Sequence, residues 1–238
     1  MMIGSTITPE YIFLQMGVPM QKAMKEFESS LTPDELISIQ KLDSPFKIQK
    51  FLDEVKYPSG DENRSSIEVL RQRQAHCLDG GLFAAAMLRR LGYPPLIVDL
   101  QPEAGLDDDH VLAIFLEFGC FGAVAKSNFC GLRFREPVYA TIRELALSYF
   151  HDYFNMQGQK TLRTVTNIIN LEDYDDLHWM TGSSGVDAIE KMLRKAALTP
   201  LISIEQAEYL SMLDERSFRA GTLGVNLDGV FKLDYIVK

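Results

Sequence analysis

Two side chains in this sequence combine the type and the local setting needed for covalent chemistry on a carbonyl: the thiol of Cys77 and the imidazole of His110. A thiol attacks best as its thiolate, and it needs a base beside it that a third group holds in place. Cys77 opens the run CLDGGLFAAAMLRRLGY, in which only Asp79 is charged between Cys77 and Leu88. Such a run predicts a helix over about 77–91 that is apolar nearly all round, and therefore central and buried. A cysteine in the first turn of that helix feels the positive end of the macrodipole, which favours the thiolate. His76 is adjacent in sequence, but neighbouring side chains on a helix do not face each other, so it is assigned a structural or exposed role.

His110 opens the strand-like run HVLAIFLEF directly after the acidic loop PEAGLDDD. A second strand, GCFGAVAKSNF, follows through a tight turn near Gly119. A loop of Phe118, Gly119 and Cys120 sets Asn128 opposite His110, and a turn of Phe118 and Gly119 alone sets Ser127 there. Cross-strand partners have Cβ atoms about 5 Å apart, so Asn128 is taken as the group that orients the imidazole, with Ser127 as the alternative. Gly80 and Gly81 each cost roughly 1 kcal/mol in a helix interior relative to Ala. Together with Ala84, Ala85 and Ala86 they predict that the sheet approaches this helix closely.

The elements around this stretch can be read from caps and periodicity. Thr32-Pro33-Asp34-Glu35 and Ser44-Pro45 are helix starts within a helical segment over 1–60. A polar loop over 57–66 leads into a short helix beginning near Ile67, the cysteine helix, and a strand over 95–100. A helix is expected over 142–149, a strand over 164–171, helices over 187–195 and 204–212, and a terminal strand over 230–237. The order predicts an α+β fold in a single domain, with a core over 61–155 and a C-terminal α/β extension over 156–238.

Composition narrows the function classes. The 238 residues carry a formal net charge of -9, which argues against nucleic acid or an anionic membrane as partner. No apolar run reaches the length of a membrane span, and the first residues lack the basic and apolar regions of a signal peptide. The three cysteines, Cys77, Cys120 and Cys130, have neither disulfide nor zinc spacing, so a reduced, cytoplasmic protein is expected. Cys120 and Cys130 are read as packing residues. Asp107, Asp108 and Asp109 are consecutive and alternate in direction, which suits a solvated loop better than a metal site.

The run CLDGGLFAAAMLRRLGYPPLIVDL, with His110 on one strand and Asn128 near the end of the next, resembles the core of the transglutaminase-like superfamily of papain-like proteins. The likeness covers roughly 67–129. It implies a central cysteine-bearing helix on an antiparallel sheet, with Cys77 as nucleophile, His110 as base, and Asn128 where the family has Asp. Phe121 stands nearest the family's Trp, and Gln72 or Gln74 is the implied oxyanion donor beside the Cys77 N–H. The implied activity is acyl transfer on a peptide or protein amide, with hydrolysis the expected outcome and no cofactor or metal required. A peptide-binding domain without catalysis is the alternative.

Overall fold

The computed structural model describes residues 19–232, so most of the terminal strand expected over 230–237 and the N-terminal stretch read for a signal peptide lie outside the described residues. Among the described residues three helices come first: α1 (Pro19–Ser29), α2 (Pro33–Gln40) and α3 (Pro45–Glu54). Both anticipated caps form. The Thr32 hydroxyl accepts the Glu35 N–H at 3.3 Å while the Glu35 carboxylate accepts the Thr32 N–H at 2.8 Å. Ser44 accepts the Lys47 N–H at 3.3 Å.

Helix α4 (Ser66–Gln72) ends at Arg73, whose left-handed φ of 54° turns the chain before the cysteine helix α5 (Cys77–Arg90) begins. As the apolar run predicts, α5 is buried from Leu78 to Arg89. Its one internal acid, Asp79, is fully buried and reaches back to the N–H groups of Arg64 at 2.8 Å and His76 at 3.1 Å. The Arg64 guanidinium lies 3.6 Å away. That carboxylate ties the start of α5 to the loop before α4.

Strands β1 (Leu96–Pro102), β2 (His110–Glu117), β3 (Cys120–Val124), β4 (Arg135–Tyr139), β5 (Leu162–Thr166) and β7 (Leu198–Pro200) form an antiparallel sheet in the order β4-β3-β2-β1-β5-β7. The short β6 (Ile169–Asn170) also pairs with β1. The strand expected over 164–171 is thus two strands, and the expected β3 stops at Val124 rather than running to Phe129. Helix α6 (Ile142–Leu147) follows β4, and α7 (Ser183–Leu193), α8 (Ile204–Glu208) and α9 (Glu215–Gly221) complete the α+β arrangement. Among the described residues no helix is long and apolar enough to cross a membrane.

Both faces of the sheet are covered. Val111, Ala113 and Phe115 pack with α5 and the N-terminal helices, whereas Leu112, Ile114 and Leu116 pack with Leu145, Tyr149 and Tyr153 on the other side. The glycine pair lets α5 lie against the sheet. A Cβ on Gly81 would stand 2.8 Å from Val111 Cγ1, and one on Gly80 would overlap the Cβ of Lys126. Gly81→Leu should therefore destabilise the protein by about 1–3 kcal/mol through overpacking, a drop of several degrees in Tm. An unchanged melting temperature would contradict the close approach.

Candidate active site

The hairpin decides which residue stands opposite His110. Glu117 pairs with Cys120, so the turn has only Phe118 and Gly119, with φ of 53° and 74°. Positive φ at both positions is the geometry that matches the twist of a two-residue hairpin. Pairing runs from there to Ala113 with Val124 and then ends. Continued by count, the register sets Ser127 opposite His110, which corrects the assignment to Asn128. The Asn128 carboxamide is bonded elsewhere: its Nδ2 donates to the carbonyls of Asn226 at 2.9 Å and Gly229 at 3.1 Å, and its Oδ1 accepts the Asn226 N–H at 2.8 Å. The Ser127 hydroxyl accepts the Phe129 N–H at 3.0 Å. Lys126 is also occupied, donating to the carbonyls of Leu52 and Val55 at the end of α3.

A backbone carbonyl takes the place expected for Asn128. His110 Nε2 lies 2.7 Å from the Leu132 carbonyl oxygen. A carbonyl only accepts, so Nε2 must carry the proton, and the neutral ring then keeps its lone pair on Nδ1. Nδ1 has no hydrogen-bond partner among the described residues, and His110 lines the same small cavity as Cys77. The ring is held edge-on between Tyr149 and Tyr153, each with its centroid 6.3 Å away. Those phenols are anchored in turn, Tyr149 on the Arg133 carbonyl at 2.8 Å and Tyr153 on the Asp108 carbonyl at 2.6 Å. Burial lowers the imidazole pKa to about 4, which leaves His110 neutral at physiological pH.

The thiol is also held in its neutral form. Cys77 Sγ lies 3.5 Å from the Asp109 carbonyl oxygen, the residue before His110, and among the described residues no hydrogen bond joins the thiol to the imidazole. Burial pushes the Cys77 pKa well up, and the Asp109 and Asp99 carboxylates add to it. The thiolate expected from the helix N-terminus is thus corrected to a thiol: desolvation and nearby negative charge outweigh the macrodipole. Asp108 and Asp109 are exposed, as expected of a solvated loop, and with Asp107 they line the cavity, where Asp109 and Asp108 push the thiol's pKa up.

Other expectations divide. Cys77, His110, Ser127 and Asn128 are brought to one cavity, whose walls also include Tyr57, Phe129 and Leu132. Gln72 and Gln74 are not among its walls, and Gln72 accepts the Arg64 Nε–H at 2.9 Å, so neither is placed as an oxyanion donor. Cys130 is exposed rather than packed, and Cys120 is half-buried at the hairpin. Among the described residues no group of three or more His, Cys, Asp or Glu side chains is placed to hold a metal ion. The aromatic run around Tyr149 and Tyr153 was the available signal for the imidazole's cage; a carbonyl such as that of Leu132 leaves no signal in residue type. The chain matches no family model and no curated protein.

Proposed function

We propose that this protein carries out cysteine-dependent acyl transfer on a peptide or protein amide, with water as the usual acceptor, through Cys77 and His110 on a transglutaminase-like core. The observation that carries this reading is the tautomer of His110, protonated at Nε2 by its bond to Leu132 so that the lone pair stays on Nδ1, on a residue that lines the same cavity as Cys77. Cys77 at the start of a buried helix, against the first residues of an antiparallel strand, supports it further.

The chemistry starts from two neutral groups. Nδ1 removes the thiol proton as Sγ attacks the amide carbonyl carbon. The imidazolium returns that proton to the nitrogen as the C–N bond breaks, leaving a thioester and a free amine. Water then attacks the thioester with Nδ1 again taking the proton, which releases the carboxylic acid and restores the thiol.

A neutral pair has a distinct pH signature. With the imidazole pKa near 4 and the thiol's well above its ordinary value, the rate of Cys77 acylation should stay flat between about pH 6 and 8. It should fall only as pH approaches 4. A rate that halves near pH 6.5 would show that the imidazole is not held neutral and would overturn this mechanism.

A second reading, a peptide-binding domain without catalysis, is favoured by the bond of the thiol to the Asp109 carbonyl instead of to the imidazole. Under that reading a His110→Gln variant acylates at Cys77 as fast as the parent.

A further inference from the structure

Residues 223–231 lie along the site. Leu223, Gly224, Asn226 and Asp228 wall a polar groove of about 440 Å³, and Gly229, Val230 and Phe231 close the cavity of Cys77 and His110. The two spaces share Tyr57, Ser127, Asn128 and Phe129, so they form one trough with the chain's own segment along it. The cavity left around Cys77 is about 40 Å³, room for a water or two and for no substrate.

The segment is held by its main chain. Asn128 donates to the carbonyls of Asn226 and Gly229 and accepts the Asn226 N–H, so one carboxamide reads backbone amide groups rather than side chains. Asn226 Nδ2 donates in turn to the Tyr57 carbonyl at 3.0 Å. At Gly229 there is no room for a side chain: a Cβ would stand 2.8 Å from the Pro58 carbonyl oxygen and 3.1 Å from the Tyr57 ring. The φ at this glycine is not in the left-handed region, so space and not backbone conformation demands it.

We propose that Tyr57, Pro58 and Asn128 form a peptide subsite selective for glycine, and that the sequence NLDGVF (226–231) fills it as an internal stand-in for substrate. The subsite would receive a glycine-bearing peptide whose following apolar residues lie along the Cys77 cavity, which Val230 and Phe231 line. Its role in substrate choice rests on the acyl-transfer reading; the binding itself does not. A tethered segment acts at an effective concentration in the millimolar range, so a free peptide competes only when the tethered copy is weakened.

The test uses the full chain and iodoacetamide, with Cys77 labelling read by peptide mass and Cys120 as the reference thiol. Gly229→Val should raise the Cys77 rate at least tenfold over that of the unaltered chain, and Asn226→Ala should raise it less. Added NLDGVF peptide at a few millimolar should return the Gly229→Val rate toward the starting value, while NLDVVF should not. Unchanged Cys77 rates in both variants, or equal protection by the two peptides, would overturn the subsite. If Gly229→Val unfolds the protein, Cys120 accelerates equally, and Asn226→Ala with the same two peptides decides. The same series in the His110→Gln chain should give the same pattern, because labelling and protection report access to the thiol and do not require catalysis, so failure of the acyl-transfer reading leaves the subsite result standing.

Discussion

His110→Gln should slow acylation of Cys77 by an amide substrate by about 100- to 10,000-fold, the range of a lost general base. Glutamine can still donate to the Leu132 carbonyl and fill much of the space between Tyr149 and Tyr153. It cannot take a proton from the thiol at neutral pH. Stability carries an independent signature of the same ring. The folded imidazole titrates near 4 against an ordinary 6.5, so between those values the unfolded chain binds a proton that the folded chain does not. The contribution of neutral His110 is therefore complete above pH 6.5 and is lost as pH falls through that window, a loss of roughly 3 kcal/mol. Asp107 acts in the opposite sense, because burial raises its carboxyl pKa to about 6. His110→Gln should consequently resist acid better than the parent while reacting far more slowly. A variant that keeps the parent's rate would remove His110 from the chemistry.

Asp79→Ala should cost about 3–5 kcal/mol, the scale for removing one partner of a buried charged pair. The lost carboxylate serves the backbone N–H groups of Arg64 and His76 and faces the Arg64 guanidinium, whose side chain is itself buried. Two backbone donors lose their acceptor at once, and the guanidinium loses its buried carboxylate, keeping Gln72, the Glu62 carbonyl and, at 3.7 Å, the exposed Glu62 carboxylate. A fall in Tm of roughly 6–20 °C follows for a chain of this size. Asp79→Asn keeps an acceptor and should lose less. If Asp79→Ala melts within a degree of the parent, the start of α5 is held by its packing alone, and the carboxylate does not position Cys77.

Much of the framework was legible because it rests on local rules. The Thr32 and Ser44 caps, the apolar α5 and the strand beginning at His110 each follow from spacing within about a dozen residues. The glycine pair also points to a close approach, although its type does not say what approaches: Val111 on β2 at Gly81, and Lys126 just beyond β3 at Gly80. Asn128 was misassigned through a single backbone angle: Phe118 adopts φ of 53°, which its residue type gives no reason to expect, and the turn is one residue shorter as a result. The group that orients His110 is a carbonyl, and every residue has one. The thiol's raised pKa is not legible because its burial, and then the carboxylates that reach it from β1 and from the loop before β2, are set by tertiary placement. The partners of Asn128 lie about a hundred residues along the chain, beyond the range of any periodicity.

The most direct measurement is to find where an acyl group settles. The full chain carrying Gly229→Val, which frees the cavity of Cys77, is exposed at pH 7 to a brief, stoichiometric pulse of a p-nitrophenyl ester of a glycine-containing peptide, then quenched in acid and digested, with the unaltered chain run alongside. Peptide mass spectrometry reads the thioester at each of the three cysteines. Acyl transfer through Cys77 and His110 gives a thioester on Cys77 that builds and then decays as water takes the acyl group, and that His110→Gln all but abolishes. Label confined to the exposed Cys130, or a Cys77 thioester that forms equally fast in His110→Gln, would contradict a catalytic role for this pair.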